Sequence, residues 1–295
     1  MFPDEFDYYE AGTVDEALDL LAEHSDAETD LLAGGHSLLP AMKSGLSSPD
    51  VLIDVSGIDA LHGVTVEDDT LVIGAMTSYS DLLATDVVHE HAPAFAAAVG
   101  QVGDEQVRNR GTVGGNLAHA DPASDLPGAA LASDATVVAA GPDGEREIPI
   151  DDYFFGMYAT ALDPEEIVTR VEIPSAAGAA GAYAKKPSPS SGYAMVGVAV
   201  LVEMEGDTVT SVRVGANGVL DHGVRLDAVE EALVGGSLDR ESIEAAAAVA
   251  PDCVDEMMVM ADLQASAEFR VNLLAAYTKR ALAATAENAA PQAAD

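Results

Sequence analysis

The chain contains a single cysteine, Cys253, among its 295 residues. A disulfide needs two cysteines, and an iron–sulfur cluster or a cysteine zinc site needs several. The sequence therefore excludes a disulfide framework within the chain. It also excludes a cluster or zinc site of this kind built by this chain alone.

Basic residues are also scarce. Lysine and arginine together number 13, against 51 aspartates and glutamates, which gives a formal net charge of −38. Nucleic-acid binding depends on lysine and arginine contacts to phosphates, so this balance opposes it. The acidic residues are spread along the chain, and salt relieves self-repulsion of this size. The composition therefore predicts a halophilic protein with a surface adapted to a high-salt cytoplasm.

Long hydrophobic runs are missing as well. No apolar stretch reaches the roughly 20 residues that a membrane-spanning helix needs. Residues 1–5 lack the basic segment and apolar core of a signal peptide. These absences predict a chain with no membrane span and a cytoplasmic location.

The rest of the sequence is organised around two glycine stretches. The first glycine stretch, residues 31–40, reads LLAGGHSLLP, and the second glycine stretch, residues 108–117, reads RNRGTVGGNL. A Gly-Gly pair beside a small polar residue lets the backbone turn tightly, exposes successive N–H groups and admits a ligand close to the main chain. Two such stretches predict one extended ligand, held from both sides, with negative charge near its middle.

Either stretch alone is more often an ordinary glycine-rich turn than an anion site. The flanking residues make the first glycine stretch more specific, because residues 31–33 end a predicted buried strand and residues 38–43 begin a predicted helical turn. A strand, a glycine turn and a helix start direct free N–H groups at an anion. Five of the 13 basic residues lie in or near the sequence motifs: Lys43, Arg108, Arg110, Lys185 and Lys186.

Hydrophobic periodicity predicts mixed helices and strands along the chain. Thr13 and Glu16 form a capping box that begins a helix over residues 14–23. A longer helix is predicted over residues 266–284. The small-residue segment 175–181 reads as a linker and marks a domain boundary.

The pattern is that of an α+β protein with two domains and a tail. The first domain is predicted to contain two subdomains, and the tail is predicted to be disordered because it is polar and alanine-rich. The predicted boundaries are 1–175 for the first domain, about 1–57 and 58–175 for its subdomains, 176–285 for the second domain and 286–295 for the tail.

Together the two glycine stretches resemble the flavin-binding subunit of molybdenum hydroxylases. This family includes the medium subunit of aerobic carbon monoxide dehydrogenase and the flavin domain of xanthine dehydrogenase. The first glycine stretch resembles the family's A-G-G-H/Q-S-L-x-P loop, and the second resembles its T-I/V-G-G-N loop. The similarity spans nearly the whole chain, because three further segments match the family: residues 121–127, 165–174 and 182–185.

The resemblance implies an FAD-binding fold of the vanillyl-alcohol-oxidase (PCMH) type with two α+β subdomains. A smaller α+β C-terminal domain would follow and cover the isoalloxazine side of the cofactor. The resemblance also implies an oxidoreductase subunit that passes electrons from [2Fe–2S] clusters through FAD to an external acceptor. The expected partners are a large molybdenum-cofactor subunit and a small [2Fe–2S] subunit, assembled as a dimer of heterotrimers.

The resemblance assigns most cofactor contacts to the two glycine stretches. Main-chain N–H groups in the first stretch, with the Ser37 hydroxyl, should hold the pyrophosphate. The second stretch should approach the flavin and pyrophosphate from the other side, with its two glycines leaving room for the ligand. The residues assigned in this way are Ala33, Gly34, Gly35, His36, Ser37, Thr112, Val113, Gly114, Gly115 and Asn116.

Four further residues complete the predicted site. Asp125 is expected to accept a hydrogen bond from a ribose or ribityl hydroxyl, although capping the helix from Leu126 onward explains it almost equally well. Val168 lies where the family contacts the cofactor through its main chain. Lys185 is expected near the flavin ring, where it would stabilise negative charge on reduced flavin. Tyr193 either shields the ring or is a strand aromatic in the core.

No internal catalytic or metal-binding set stands out in the sequence. His89 and His91 lack a clear third ligand and fit a solvated helix end better than a metal site. His119 fits a structural role as well as a cofactor contact. No G-x-G-x-x-G motif follows a strand, so a Rossmann-type NAD site is not indicated. Residues 101–103 lack the aromatic residue that xanthine dehydrogenase places there, which favours the carbon-monoxide-dehydrogenase-like branch.

Two alternatives to the electron-transfer subunit remain. One is a self-contained FAD-dependent oxidoreductase with its own substrate pocket, and the other is a non-catalytic module that binds a nucleotide or only holds a partner. The absence of an acid–base set favours the subunit, because the flavin would then supply the chemistry.

Overall fold

The computed structural model describes residues 2–290. It contains a first unit in which a three-stranded parallel sheet has β3 at its centre, between β1 and β2. The elements of this unit are β1 (Asp7–Glu10), α1 (Val14–Glu23), β2 (Thr29–Leu32), α2 (Leu38–Ser44) and β3 (Val51–Asp54).

Helix α1 confirms the boundaries predicted from its capping box. The Glu16 N–H donates to Thr13 Oγ1 at 3.1 Å, and the Glu16 carboxylate accepts the Gly12 N–H at 2.8 Å. The buried face of the helix, which includes Ala17 and Leu21, packs in one apolar cluster with the residues of β3. The first unit is therefore held by a local βαβ-type core.

The second unit contains a five-stranded antiparallel sheet in the order β4-β5-β10-β6-β7, a small β8–β9 hairpin and six helices. Its strands are β4 (Val64–Glu67), β5 (Thr70–Gly74), β6 (Thr136–Gly141), β7 (Gly144–Pro149), β8 (Phe154–Gly156), β9 (Ala159–Thr160) and β10 (Ile167–Pro174). Its α-helices are α3 (Tyr79–Leu83), α4 (Asp86–His91), α5 (Pro93–Val99), α6 (Glu105–Arg108), α7 (Val113–His119) and α8 (Leu126–Ala132). Short 3-10 helices occur at Asp59–Leu61 and Ile150–Asp152.

One face of this sheet forms the largest apolar core. Inward residues of β5 and β10, such as Ile73 and Val171, pack with Phe95 of α5 and Leu126 of α8. The second glycine stretch begins α7 on the same face, where Val113 and Leu117 are fully buried. The sheet thereby fixes the position of the second glycine stretch.

The third unit is an antiparallel sheet in the order β11-β12-β13-β14, covered by helices. Its elements are β11 (Ala180–Pro187), β12 (Ala194–Glu205), β13 (Thr208–Asn217), β14 (Val224–Arg225), α9 (Asp227–Leu233), α10 (Arg240–Ala248), a 3-10 helix (Ala250–Cys253) and α11 (Ala267–Ala289).

Strand β12 is buried on both faces, which explains its continuous apolar run. Val198 and Val200 point into a core formed with the helices of the third unit. Ala199 points the other way and packs with Tyr183 in the core of the second unit. The third unit is therefore joined to the second unit by a buried apolar face.

The long C-terminal helix corrects one prediction. Helix α11 continues through Ala289, so disorder from residue 286 is wrong for residues 286–289. Residues 291–295 of the predicted tail lie outside the described residues. Across residues 2–290, no helix is both long enough and apolar enough to span a membrane.

Candidate functional site

A cleft of about 730 Å³ lies between the two glycine stretches. Residues before β12 and after α5 add to its walls. Most of the predicted site residues line it: Ala33, Gly34, Gly35, His36, Ser37, Thr112, Gly114, Gly115, Asn116, Asp125, Val168 and Tyr193. Of the predicted set, Val113 and Lys185 do not line the cleft, because Val113 is buried in the core and Lys185 is engaged elsewhere.

The first glycine stretch leaves a row of main-chain donors free. Strand β2 ends at Leu32 and α2 begins at Leu38. Within residues 2–290, the N–H groups of residues 34–37 donate to no acceptor in the protein, whereas the Gly35 carbonyl accepts the Leu39 N–H at 3.2 Å. Gly35 has a φ of +71°, which favours glycine. Four successive free N–H groups beside a cleft provide the donors that an anionic group requires.

Three basic residues lie close in sequence to the two glycine stretches. Lys43 lies on α2, and Arg108 and Arg110 begin the second glycine stretch. None of the three forms an ion pair within the described part of the chain, although most other basic residues do. None of the three lines the cleft, and Arg108 Nη1 donates to the carbonyls of Val102 and Gly103 at 2.9 and 3.3 Å.

The second glycine stretch uses its N–H groups differently. Thr112 caps helix α7, and its Oγ1 accepts the Gly115 N–H at 3.2 Å. The N–H groups of Val113, Gly114 and Asn116 donate to the carbonyls of Thr77, Ala75 and Thr112, respectively. The prediction that this stretch exposes successive N–H groups is therefore wrong, because helix capping and contact with the strand end use them.

The glycines of the second stretch permit packing of protein against protein. A Cβ on Gly114 would lie 2.5 Å from the Cβ of Ala75. A Cβ on Gly115 would lie 2.7 Å from Thr112 Oγ1 and 3.1 Å from the Cβ of Ala33. The space that we expected these glycines to leave for a ligand is therefore occupied by neighbouring segments, including the first glycine stretch.

Asn116 connects the second glycine stretch to two other walls of the cleft. Its Nδ2 donates to Tyr79 Oη at 2.8 Å, and its Oδ1 accepts the Ser124 hydroxyl at 2.8 Å. Tyr79 lines the cleft although only 3% of it is exposed, and burial raises the pKa of its hydroxyl. Sequence reasoning missed Tyr79, because an aromatic residue in a short helix has the same pattern as an ordinary core residue.

Asp125 makes a buried contact that neither of its two predicted roles included. It precedes α8, but its side chain makes no capping bond. Its carboxylate accepts hydrogen bonds from Tyr183 Oη at 2.6 Å and from Lys185 Nζ at 2.8 Å. Burial raises the pKa of Asp125, while Lys185 and Tyr183 act in the opposite direction. Asp125 therefore lines the cleft and also anchors β11.

Lys185 is committed to this junction. Its Nζ donates to the Gln101 carbonyl at 2.7 Å as well as to Asp125, and its side chain is 7% exposed. Gln101 returns a bond from its side-chain amide to the Tyr183 carbonyl at 2.9 Å. The ammonium group therefore joins the second and third units, and it is not an open cation in the cleft.

The predicted aromatic and histidine residues also have defined places. Tyr193 precedes β12, is 44% exposed and lines the cleft, so the prediction of a core strand aromatic is wrong. His119 lines the cleft and its ring packs 4.9 Å from that of Tyr158, while burial lowers its pKa. His89 and His91 lie at the end of α4, and residues 2–290 contain no cluster of metal ligands.

Comparison with known proteins agrees with this geometry. A family profile described as "FAD binding domain in molybdopterin dehydrogenase" matches residues 4–176, and one described as "CO dehydrogenase flavoprotein C-terminal domain" matches residues 181–285. The chain is 37% identical over 284 residues to the carbon monoxide dehydrogenase medium chain of Hydrogenophaga pseudoflava, covering 96% of this chain and 97% of that one. It is 34% identical over 244 residues to the glyceraldehyde dehydrogenase medium chain of Sulfolobus acidocaldarius, covering 83% and 86%.

A solved structure is similar over the same length. Carbon monoxide dehydrogenase from Hydrogenophaga pseudoflava, in a form that lacks the Mo-pyranopterin moiety, matches with a TM-score of 0.92 at 37% identity. The match covers 98% of this chain and 99% of that one. The predicted α+β FAD-binding fold with a smaller C-terminal domain is confirmed.

Proposed function

The chain belongs to the family of FAD-binding medium subunits of molybdopterin dehydrogenases, and on that premise we propose that it carries electrons from the [2Fe–2S] clusters of a partner chain to an external acceptor. Membership makes it a flavoprotein subunit of an oxidoreductase. The route of the electrons and the identity of the acceptor belong to the proposal.

The residues of the cleft fit FAD. The free N–H groups of residues 34–37 suit its pyrophosphate. Tyr193 and His119 line the part of the cleft beside the third unit, where they would contact the flavin ring and exclude water. When bound, FAD supplies the redox chemistry, and the protein supplies binding, orientation and electrostatics.

The row of free N–H groups in the cleft is the observation that carries this proposal, because it fits a pyrophosphate-containing cofactor. The lack of iron–sulfur ligands in this chain fits the proposed division of tasks between subunits. Residues 2–290 hold no cluster of metal ligands, and the one cysteine, Cys253, cannot ligate an iron–sulfur cluster alone. On this proposal, reducing equivalents enter from the clusters of another chain.

We infer partners of the kind that the names of the relatives imply. The relatives are medium chains, so this chain would join a large subunit with the molybdenum cofactor and a small subunit with two [2Fe–2S] clusters. A dimer of such heterotrimers, in a high-salt cytoplasm, is our working assembly. The large subunit would select the substrate, as the different names of the two relatives suggest.

We also propose that the functional domains follow the sequence boundaries. Residues 1–175 would form the FAD-binding domain and residues 176–285 the C-terminal domain. The segment between β10 and β11 supports this division, since it contains the short loop over residues 175–179. Limited proteolysis tests the division, because cleavage should concentrate in that loop when the third unit is loosened.

The test of function is anaerobic reduction of the bound flavin, followed at about 450 nm, an absorbance that belongs to the cofactor. The isolated chain should bind FAD and show no bleaching with carbon monoxide, purines or aldehydes. Adding the cluster and molybdenum subunits should restore bleaching by the true substrate. Rapid bleaching of the isolated chain by a substrate would instead support a self-contained oxidoreductase.

A further inference from the structure

Arg270 is a buried cation that lies outside the cleft. It occupies the first turn of α11 in the third unit, and only 5% of the residue is exposed. Its Nη1 donates to the carbonyls of Met195 and Gly218, each at 2.5 Å, and its Nη2 donates to Asp262 Oδ2 at 2.6 Å. Burying a guanidinium is costly unless its donors are satisfied, and the bonds of Nη1 and Nη2 hold three acceptors in a fixed arrangement. The buried Nε has no hydrogen-bond partner within residues 2–290.

The carbonyls of Met195 and Gly218 lie next to two main-chain hydrogen bonds that join the third unit to the second. The Gly218 N–H donates to the Pro122 carbonyl at 2.7 Å. The N–H of Ala194, the residue before Met195, donates to the Ala123 carbonyl at 3.0 Å. Arg270 therefore fixes the two points of the third unit that hold residues 121–125, which we call the acidic segment.

The acidic segment is a wall of the cleft. Asp121, Ser124 and Asp125 line the cleft. The Ser124 hydroxyl also donates to Asn116 in the second glycine stretch. A displacement of the acidic segment would therefore change the shape and charge of the cleft, as well as the support of the second glycine stretch.

Asp262, the partner of Arg270, is connected through Gln264 to a second wall of the cleft. Its Oδ1 accepts the Gln264 N–H at 2.7 Å, and the Gln264 N–H is the main cause that holds the pKa of Asp262 below its usual range. The Gln264 side chain then bonds to the hydroxyls of Ser188 at 2.6 Å and Ser190 at 3.1 Å. These serines belong to residues 188–193, which we call the serine loop.

The serine loop carries Ser191, Gly192 and Tyr193 into the cleft. Its shape is maintained internally, because the Ser188 N–H donates to the Tyr193 carbonyl at 2.7 Å and the Gly192 N–H donates to the Ser188 carbonyl at 2.9 Å. Arg270 is thus linked to the acidic segment through the main chain at Met195 and Gly218, and Asp262 is linked to the serine loop through Gln264.

We propose that Arg270 and Asp262 are positioning residues for FAD, which orient the acidic segment and the serine loop against the cofactor from outside the cleft. The proposal rests on the proposed placement of FAD in this cleft. Arginine suits the task because its planar group presents several donors in fixed directions, whereas lysine presents one compact charge.

The test uses the full chain and the variants Arg270→Lys and Asp262→Asn. FAD affinity is measured by titration at a temperature at which far-UV circular dichroism shows each variant folded. The dissociation constant should rise about tenfold, equal to a loss of about 1.4 kcal/mol in binding free energy. The visible circular dichroism and the midpoint potential of the bound flavin should also change, because the nearby acidic groups have moved.

Two controls separate positioning from general stability. Ile243→Ala removes a core side chain of the third unit that has no route to the cleft, so it should lower the melting temperature and leave the FAD dissociation constant within about twofold. Arg280→Met removes another arginine of α11, whose side chain contacts Tyr277, and should leave the flavin spectrum unchanged.

The measured dissociation constants and flavin spectra decide the proposal. It is overturned if Arg270→Lys and Asp262→Asn keep the wild-type dissociation constant and flavin spectrum, or if Ile243→Ala weakens FAD binding equally. If Arg270→Lys does not fold, Asp262→Asn and Gln264→Leu give the same decision. Gly35→Ala tests the placement itself: FAD binding insensitive to that change would refute the cleft site, whereas sensitivity with a silent Arg270→Lys would refute only the positioning role.

Discussion

The two glycine stretches look alike in sequence and act differently in the fold. The first leaves the N–H groups of residues 34–37 without acceptors in the described structure, so these groups are available to a ligand. The second buries Gly114, and the N–H groups of residues 113–116 are bonded within the protein. A Gly-Gly pair therefore shows where something approaches the backbone closely, but it does not show whether a ligand or another protein segment approaches.

The neighbours of each stretch explain the difference. The first lies between a strand end and a seven-residue helix at the cleft, and its own α2 begins without a side-chain cap. The second begins a helix that Thr112 caps, and it lies against Ala75 next to the end of β5. Packing has used the donors of the second stretch, while a ligand can still use those of the first.

The largest expected effect is the loss of stability caused by a side chain at Gly114, in the second glycine stretch. Gly114→Val should lower the free energy of unfolding of the FAD-free chain by about 3 kcal/mol, because its Cβ would collide with Ala75 in a packed core. Urea unfolding of the apoprotein measures this loss. Gly57→Val is the matched control, since a Cβ at Gly57 meets only one atom, at 4.0 Å, and the change should stay within about 0.5 kcal/mol. Equal stability of the two variants would contradict the packing role of the second stretch.

The next effect should appear in ligand binding at Gly35. Gly35→Ala should raise the FAD dissociation constant about tenfold, because a φ of +71° opposes a side chain and the free N–H groups around it would reorient. Flavin fluorescence titration gives this constant. Gly45→Ala has the same kind of backbone strain, with a φ of +75°, but Gly45 does not line the cleft. Its FAD affinity should match wild type, and a loss as large as that of Gly35→Ala would break the comparison.

A crossed pair of hydroxyl deletions should give smaller effects. Thr112→Ala removes a helix cap and should reduce apoprotein stability by about 1 kcal/mol. Ser37 makes no capping bond, so Ser37→Ala should change stability by less than about 0.5 kcal/mol. It should instead weaken FAD binding by about 1 kcal/mol, as expected for one lost hydrogen bond. Urea denaturation and FAD titration of both variants measure the two effects separately. Equal losses of stability in Thr112→Ala and Ser37→Ala would contradict the different roles of the two hydroxyls.

Salt should change the melting temperature of the chain more than it changes FAD affinity at the first glycine stretch. The melting temperature should rise with potassium chloride, because screening relieves repulsion within a net charge of −38. FAD affinity should not fall over the same range, since neutral N–H donors are not screened as ion pairs are. A melting temperature independent of salt would remove the halophile hypothesis. A steep loss of FAD affinity would assign the binding to Lys43 and Arg110 instead of the N–H groups.

Much of the local structure could be predicted from short-range patterns. The capping box at Thr13 gave the correct bounds of α1, Val14–Glu23. Helix α11 was underestimated at its C-terminal end, because its polar alanine-rich turns have the composition of a tail. Composition alone does not distinguish such a helical end from a disordered tail, because packing of α11 against β11 and β12 helps to stabilise it.

The sequence by itself determined the family motifs, the domain order, the excess of negative charge and the lack of enough cysteines for a cluster. Each depends on residue identities, or on patterns within a few positions. Only the tertiary structure decided which N–H groups remain free, because the acceptors for Val113 and Gly114 are carbonyls of Thr77 and Ala75, more than thirty positions earlier in the chain. The same holds for the partner of Lys185, since Asp125 reaches it across two units whose relative position follows from burial of both faces of β12.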